Sequence, residues 1–396
     1  MTSPDPIEPK LGDGPLDGVK ILDLTSVFMG PLATACLADL GADVIKVESP
    51  DGDVIRSIGP GGKDGVGAIF QHLNRNKRSI ILDLKAPDDL NILLELAKDA
   101  DVLVYNIRPA AMTRLGLGWD RLHAINPRLV YVGTFGYSQR GCYAAEPAFD
   151  DLIQAASGFA HAMSIASGGP PAYAPVTVAD RAVGFYAFGA ISAALFARER
   201  TGKGQRVDVP MFETMTSFVM GDHMYGHTYE PPQADYGYPR LMAKTRRPYK
   251  TKDGYVCCTV YTDAQWKAFL SEAGRPELFD ADPRFKDLGT RTQHIEALYG
   301  LVEDLLQRRT TQDWRTALAP FGIPIFPVHD FDSLLEDPHL NDIDFFDSLE
   351  DVRGESIRLM KCPSEWSDGL PGIRRTAPKK GAHTDEVLAS FREKAK

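Results

Sequence analysis

The chain has 396 residues, of which 43% are hydrophobic and 25% charged, a composition typical of a globular protein of two or three domains. Its formal net charge of −10 argues against nucleic acid as the main partner, because phosphate contacts need a basic surface. The longest uncharged run, residues 182–197, is too short to span a bilayer comfortably, so we expect a buried helix there and no membrane association.

Cysteine usage and the first residues point to a reducing compartment. The 5 cysteines are scattered and contain no CxxC pair, so the sequence predicts neither a structural metal site nor a disulfide framework. The segment MTSPDPIEPK has no basic region followed by an apolar one, as a signal peptide would. We therefore expect a cytoplasmic protein without a metal.

The first part of the chain alternates strand and helix patterns. VKILDL and ADVIKVE are typical of buried strands and flank a small-residue helix, GPLATACLADL. The strands KRSIILDLK, DVLVYNI and RLVYVGTFGY follow, with the helix APDDLNILLELAKDA after the first of them. Such alternation predicts a Rossmann-like parallel sheet covered by helices on both faces.

Residues 174–205, APVTVADRAVGFYAFGAISAALFARERTGKGQ, predict a long apolar helix with one acid, Asp180, at its start. Arg198 and Arg200 suit the last turn and Gly202 the stop. Asp180 has two interpretations. It is either the helix N-cap, a common place for aspartate, or a catalytic carboxylate stabilised by the helix N-terminus. This stretch alone favours the N-cap.

The pattern changes after this helix. RVDVPMFETMTSFVMGDHMYG predicts a strand and a methionine-rich helix, and YEPPQADYGYP predicts a linker. The Asp-Gly pair after YKTK is typical of a hairpin turn. We therefore predict an α/β protein with a large Rossmann-like domain (residues 1–224), a small α+β domain (residues 225–325) and a return segment completing the large domain (residues 326–396).

The expected ligand site lies at the carboxyl ends of the parallel strands. The first strand–helix turn, LTSVFMGP, has a single glycine and lacks the dinucleotide fingerprint, and no P-loop occurs, which disfavours a nicotinamide-dependent oxidoreductase. Lys85, Arg108 and Arg114 are expected near this edge. They could bind the phosphates of a ligand or simply be solvated surface charges.

Several blocks in this order resemble the class III CoA-transferase family, which includes formyl-CoA transferase and carnitine CoA-transferase. They are DLTSVFMGPLATACLADLGADVIKVE, NRNKRSIILDLK, ADVLVYNIRPAAMTRLGL, RERTGKGQRVDV and GAHTDEVL. The resemblance implies an open-ring subunit and a homodimer in which two rings interlock. It also implies that acyl-CoA and a carboxylic acid are the substrates, with no tightly bound cofactor.

The resemblance also implies site residues. Asp180 matches the aspartate nucleophile of the family, which shifts the balance of the two interpretations towards catalysis. The positions that match CoA contacts are Val27, Phe28, Met29, Leu82, Lys85, Asn106, Ile107, Arg108, Arg114, Ala148, Phe149 and Asp150.

A carboxylate nucleophile suits CoA transfer because its attack on a thioester gives an anhydride that is still activated. The main alternative is the related α-methylacyl-CoA racemase, which uses a histidine and an aspartate as its two bases. The histidine position matches Phe149, whose ring cannot carry a proton, so racemisation is the weaker hypothesis. A non-catalytic interaction protein would not need an intact Asp180.

The identity of the acids is less constrained by the sequence. RLMAKTRRPYK carries Arg240, Lys244, Arg246, Arg247 and Lys250, which suggests a dicarboxylyl donor such as succinyl-CoA, although solvated surface charge explains the cluster equally well. This segment lacks the glycine-rich run that covers the intermediate in formyl-CoA transferase.

Overall fold

The computed structural model describes residues 14–367 and 371–394. Its strands are β1 (Lys20–Leu24), β2 (Asp43–Glu48), β3 (Lys77–Ile81), β4 (Val102–Tyr105), β5 (Val130–Phe135), β6 (Gln205–Pro210), β7 (Tyr249–Lys250), β8 (Tyr255–Cys258), β9 (Ile325–Pro327), β10 (Phe346–Glu350) and β11 (Ser356–Met360).

The helices run from the first strand connection to the end of the described chain. They are α1 (Met29–Asp39), α2 (Ala68–Asn74), α3 (Pro87–Asp99), α4 (Pro109–Arg114), α5 (Trp119–Ile125), α6 (Asp150–Ala156), α7 (Phe159–Ser167), α8 (Val178–Thr201), α9 (Met211–His223), α10 (Pro239–Met242), α11 (Asp263–Glu272), α12 (Leu278–Ala281), α13 (Leu288–Gln293), α14 (Ile295–Leu306), α15 (Thr311–Leu318), α16 (Phe331–Leu335), α17 (Pro338–Asp342) and α18 (Thr384–Lys394).

The chain forms two compact units. The first contains the residues up to Ser157, then Pro175–Thr216, and the residues from Pro338 onwards. The second contains Gly158–Ala174 and Ser217–Asp337. The chain therefore leaves the first unit between α6 and α8 and returns to it shortly before Asp180.

A six-stranded sheet organises the first unit, in the order β3-β2-β1-β4-β5-β6. Its neighbouring strands are parallel throughout, which confirms the sheet predicted from the alternating pattern. The strand order reverses direction between β1 and β4, so the loops that follow these two strands diverge and leave a crevice. Ligands of open α/β sheets bind at such a point.

Helices cover both faces of this sheet. Along β4, Val102 and Val104 pack in a core with α1 and α8, whereas Leu103 and Tyr105 pack in the opposite core with α3 and α5. All of these strand residues are at most 1% exposed. Burial on both faces explains why the strands are continuous hydrophobic runs in the sequence.

Helix α8 is only half buried, which corrects the prediction of a buried helix. Ile191, Ala194 and Leu195 pack against the sheet. The opposite face exposes Tyr186 and Phe196, at 62% and 64%. Of the described helices, α8 alone is long and apolar enough to cross a membrane by composition, although its inner face belongs to the core of the sheet.

The second unit is α+β in composition. Its antiparallel sheet has the order β7-β8-β9, and the hairpin predicted at Asp253-Gly254 joins β7 to β8. Trp266 and Trp314, both fully buried, pack with Phe269 in the core of this unit.

Candidate active site

Asp180 is the third residue of α8 and is not its N-cap, which rules out the first of the two interpretations. The N-cap is Thr177, and its side chain makes no capping hydrogen bond. The backbone N–H of Asp180 donates instead to Oδ1 of Asp150, at 2.9 Å. A carboxylate 30 residues earlier in the chain therefore satisfies a free donor of the first turn.

Asp150 is held firmly in this position. It is the first residue of α6, is 8% exposed, and accepts a hydrogen bond from Nε2 of Gln154 at 2.6 Å through its other oxygen. Because α6 packs against α8, the two aspartates face the same place. Both oxygens of Asp150 are thus occupied, which leaves the Asp180 carboxyl as the group available for chemistry.

The environment of Asp180 raises its pKa from an ordinary value of 3.8 to about 7. Burial is the largest cause, and the negative charge of Asp150 adds to it, while the positive charge of Arg181 acts in the opposite direction. A weakly solvated carboxylate that ionises near neutral pH is a stronger nucleophile or base than a hydrated surface carboxylate.

The loop from β1 to α1 lies beside this helix start. Asn106, predicted from the end of β4, accepts from the Ser26 N–H at 3.1 Å and donates to the Ser26 carbonyl at 2.7 Å. Met29 approaches α8 so closely that a Cβ at Gly184 would come within 2.8 Å of its carbonyl oxygen. Since Gly184 is one helical turn after Asp180, the predicted Met29 contact lies close to the predicted nucleophile.

A cavity of about 270 Å³ opens at the carboxyl ends of β1, β2 and β3. Its lining includes Leu82, Lys85 and Ile107, three of the predicted contact residues. It also includes Ser49 and Leu84, which directly follow β2 and β3 as expected for this edge, and three residues that the sequence does not predict, namely Gly52, Asp53 and Leu115. No short motif identifies these residues, because they meet only when three separate loops converge.

The remaining predicted positions lie around this edge of the sheet. Arg108 is the N-cap of α4 and Arg114 lies in its last turn. Lys85 and these two arginines are exposed, and within the described part of the chain their side chains form no ion pair. Three cations without an internal partner suit a ligand that carries several phosphates.

Ala148 and Phe149 lead into α6. Ala148 packs tightly against Gly136, which directly follows β5. A Cβ added to Gly136 would lie 2.3 Å from the Cβ of Ala148. Phe149 is the N-cap of α6, and its side chain is 68% exposed. Both residues directly precede Asp150, and neither belongs to the cavity lining that the described residues form.

The cationic segment of the second unit is partly neutralised within that unit. Arg247 pairs with Glu303 at 3.1 Å, and Nε of Arg240 donates to the Tyr299 hydroxyl at 2.9 Å. Lys244, Arg246 and Lys250 form no ion pair with the residues that the structure describes. Over the same residues, no group of three or more His, Cys, Asp or Glu side chains is arranged to hold a metal ion.

The chain is similar to known enzymes and to solved structures over most of its length. An acetyl-CoA:oxalate CoA-transferase from Acetobacter aceti is 37% identical over 333 residues, which are 83% of this chain and 84% of the relative. A succinate–glutarate CoA-transferase from Agrobacterium fabrum is 31% identical over 391 residues, 95% of this chain and 96% of the relative. The crystal structure of the hypothetical protein Rv3272 from Mycobacterium tuberculosis superposes with a TM-score of 0.81 at 29% identity, covering 95% of this chain and 99% of that one.

The family model described as CoA-transferase family III matches residues 16–384. This match confirms the resemblance that the sequence blocks indicate, and the enzymes of this family use CoA thioesters as substrates. The chain therefore belongs to CoA-transferase family III and is an enzyme of that family.

Proposed function

We propose that the protein is an acyl-CoA:carboxylate CoA-transferase whose nucleophile is the carboxylate of Asp180. The observation that carries the proposal is the Asp150–Asp180 arrangement, in which Asp150 holds the start of α8 and Asp180 keeps a free, weakly solvated carboxyl. The CoA moiety would bind at the switch point of the sheet, through the contact residues named above, which include the cations Lys85, Arg108 and Arg114.

The reaction conserves the energy of the thioester in each step. The ionised Asp180 oxygen attacks the donor thioester carbonyl, which forms an acyl-aspartyl anhydride and releases CoA thiolate. The thiolate attacks the aspartyl carbonyl, giving an aspartyl-CoA thioester and the free donor acid. The acceptor carboxylate attacks this thioester and releases the thiolate, which then attacks the acceptor carbonyl and restores Asp180. Water must be kept out, since it would hydrolyse each intermediate.

The adduct on Asp180 provides the test. Incubation of the enzyme with a donor acyl-CoA should give a covalent acyl or CoA adduct, which peptide mass spectrometry should locate at Asp180 and which hydroxylamine should remove. Asp180→Asn should form no adduct and lose transfer by at least about a thousand-fold, because a neutral amide is not a nucleophile. An adduct on another residue, or substantial transfer by the Asn variant, would show that Asp180 is not the nucleophile.

Racemisation of an α-carbon is the second candidate, and its only support is an aspartate at position 180. The partner base is missing at Phe149, which cannot accept a proton. Incubation with a 2-methylacyl-CoA in deuterated water separates the two activities. A transferase leaves the α-proton in place, whereas a racemase exchanges it without forming an adduct.

We propose dicarboxylic acids as the class of substrate. The relatives from Acetobacter aceti and Agrobacterium fabrum are named for oxalate, and for succinate and glutarate, which are dicarboxylates. Lys244, Arg246 and Lys250, from which the sequence suggests a dicarboxylate, belong to the second unit, so the names of the relatives carry this proposal. A screen of donor acyl-CoAs against acceptor acids should give products with dicarboxylates, and activity confined to monocarboxylates would refute this substrate class.

The proposed assembly is an interlocked homodimer. Phe185, Tyr186 and Phe196 form an apolar stripe on the outer face of α8 and are 53%, 62% and 64% exposed in the single chain. A second copy of the chain is the proposed occupant, because it would bury this stripe and because the resemblance to the family implies a dimer.

A further inference from the structure

The loop between β1 and α1 contains a residue in an unfavourable backbone conformation. Val27 has φ of 71°, in the left-handed region. This region is unusual for any residue with a Cβ and rare for a β-branched one, because the side chain crowds the backbone carbonyl. Such a conformation persists only where the surrounding structure holds it, and it occurs preferentially at functional sites.

Asp53 provides the contact that holds it. The Val27 N–H points between the two carboxylate oxygens of Asp53, at 3.2 and 3.3 Å. The Asp53 side chain is 1% exposed and pairs with Nζ of Lys46 at 2.9 Å. The same Nζ donates to the Thr25 carbonyl at 2.8 Å, so that one buried ion pair holds the loop on both sides of Ser26.

Asp53 cannot follow the loop if the loop relaxes. Its own N–H donates to Oε2 of Glu48 at 3.1 Å, and its Oδ1 also accepts from the Ile55 N–H at 3.2 Å. Glu48 is in turn fixed by an ion pair with Arg56 at 2.6 Å. Every member of this chain of contacts is a protein group of the first unit.

We propose that Asp53, held by Lys46, is a positioning residue for CoA binding. Its carboxylate keeps Val27 left-handed, so that the backbone of residues 27–29 already has the geometry in which it contacts CoA. This inference rests on the proposed function, which assigns the CoA contacts to Val27, Phe28 and Met29. Although Asp53 is part of the cavity lining, its side chain is only 1% exposed and both of its oxygens are engaged with protein groups, so we assign it a role through the loop.

The expected consequence is a split between binding and chemistry. A loop that is held in advance binds with less loss of conformational entropy. When the acceptor is weakened in Asp53→Asn, Val27 is free to leave the left-handed region, and CoA must then restore the loop on binding. We expect the KM for acyl-CoA and the Kd for free CoA to rise by about ten-fold or more. The kcat at saturating substrate should stay within about three-fold, because Asp180 is untouched.

Val27→Gly provides the decisive second variant, because glycine takes positive φ without strain. In the Val27→Gly background, Asp53→Asn should change the KM by less than about three-fold. The experiment measures KM and kcat for the wild type, both single variants and the double variant, with free CoA titrated by calorimetry. An equal rise in KM in both backgrounds would mean that Asp53 only stabilises the fold, and no rise in the valine background would also overturn the proposal.

Asp39→Asn is the matched control. Asp39 is a buried carboxylate of the same unit, paired with Arg75, and it makes no contact with the loop. This variant should lower the melting temperature and leave the KM for acyl-CoA unchanged. If Asp53→Asn alone does not fold, the double variant should fold and bind CoA like Val27→Gly, and its failure to do so would refute the proposal.

The outcome also separates the two proposals. If the wild type bound no CoA, the proposed function would be wrong. If the wild type bound CoA and Asp53→Asn bound it equally well, only the positioning role would be wrong.

Discussion

At the scale of single residues, the site depends on two carboxylates with different tasks. Asp150 uses both oxygens to cap the start of α8 and to hold Gln154, whereas the Asp180 carboxyl accepts no hydrogen bond from the residues that the structure describes. The charge of the first raises the pKa of the second, and Arg181 opposes that rise. Burial is the largest cause of the raised pKa, so the ionisation of Asp180 depends on its buried position first and on these two charges second.

The pH dependence of the transfer rate should follow the ionisation of Asp180. Attack requires ionised Asp180, whose pKa is raised to about 7, so kcat/KM should increase with pH and level off above neutrality. Arg181→Gln removes a charge that favours ionisation and should move the profile to higher pH. Asp150→Asn removes a charge that disfavours ionisation and should move it to lower pH. If both variants moved the profile in the same direction, the inflection would belong to another group.

The raised pKa of Asp180 should also make the free energy of unfolding depend on pH. A carboxyl whose pKa is higher in the folded state than in the unfolded chain stabilises the fold at low pH, and this stabilisation is lost as the pH rises from about 4 to about 7. The amide introduced by Asp180→Asn cannot ionise, so this variant keeps the free energy of unfolding that the wild type loses when its buried carboxyl ionises. This variant should be more stable than the wild type at pH 8 by on the order of 2 kcal/mol after solvent screening. At pH 4 the two should be nearly equal. Thermal melts across this range test the expectation, and a destabilised variant at pH 8 would contradict it.

At the scale of elements, the site depends on how closely α8 approaches α1. Gly184 lies where a Cβ would meet the Met29 carbonyl at 2.8 Å and Leu32 at 3.1 Å. Glycine at this position allows the predicted CoA loop to lie close to the predicted nucleophile within the first unit. The outer face of the same helix carries the apolar stripe that we propose as the dimer contact.

Gly184→Ala should widen the spacing between α1 and α8. The added methyl group must push the two helices apart, which should cost about 1–3 kcal/mol and raise the KM for acyl-CoA. Gly300→Ala is the control, since Gly300 lies within α14 of the second unit and a Cβ there meets no atom within 4 Å. That change should be neutral or stabilise the protein by about 0.5–1 kcal/mol through helix propensity. Equal melting temperatures and KM values for the two variants would show that α8 and α1 tolerate wider spacing.

At the scale of the whole molecule, the exposed face of α8 is the feature that a single chain leaves unexplained. A contiguous apolar stripe on the surface of a folded chain usually marks an interface. The resemblance to the family implies that each subunit is an open ring, and two interlocked rings could separate only if one of them opened.

Mass photometry at nanomolar concentration should therefore detect a dimer and no monomer. Phe196→Glu places a charge on the stripe and should give monomers or aggregated protein, because a charge cannot be buried unpaired at low cost. Leu288→Glu, at an apolar position that is 49% exposed and outside α8, should leave the dimer intact. A wild-type monomer in this measurement would refute the interlocked assembly.

Much of the fold could be predicted from the sequence because it rests on local patterns. The buried strands are continuous apolar runs, α3 starts at a proline, and Gly202 ends α8 in a left-handed conformation. The same patterns brought Asp180 to attention as a lone acid at the start of an apolar helix. The resemblance in the ordered blocks then indicated the family, which the family model confirms.

Tertiary structure alone decided the features that depend on residues far apart in the chain. Local propensity allows Asp180 to be either an N-cap or a nucleophile, and it does not reveal that the carboxylate which caps the start of the helix comes from Asp150. The left-handed Val27 needs Asp53, and that pair meets only because β2 lies beside β1 in the sheet. Burial and charge at the meeting point then set the pKa of Asp180, since the free energy of a carboxylate depends on the groups that replace its water. The sequence states which chemical groups are present, and long-range packing determines which of them lie together and are removed from solvent.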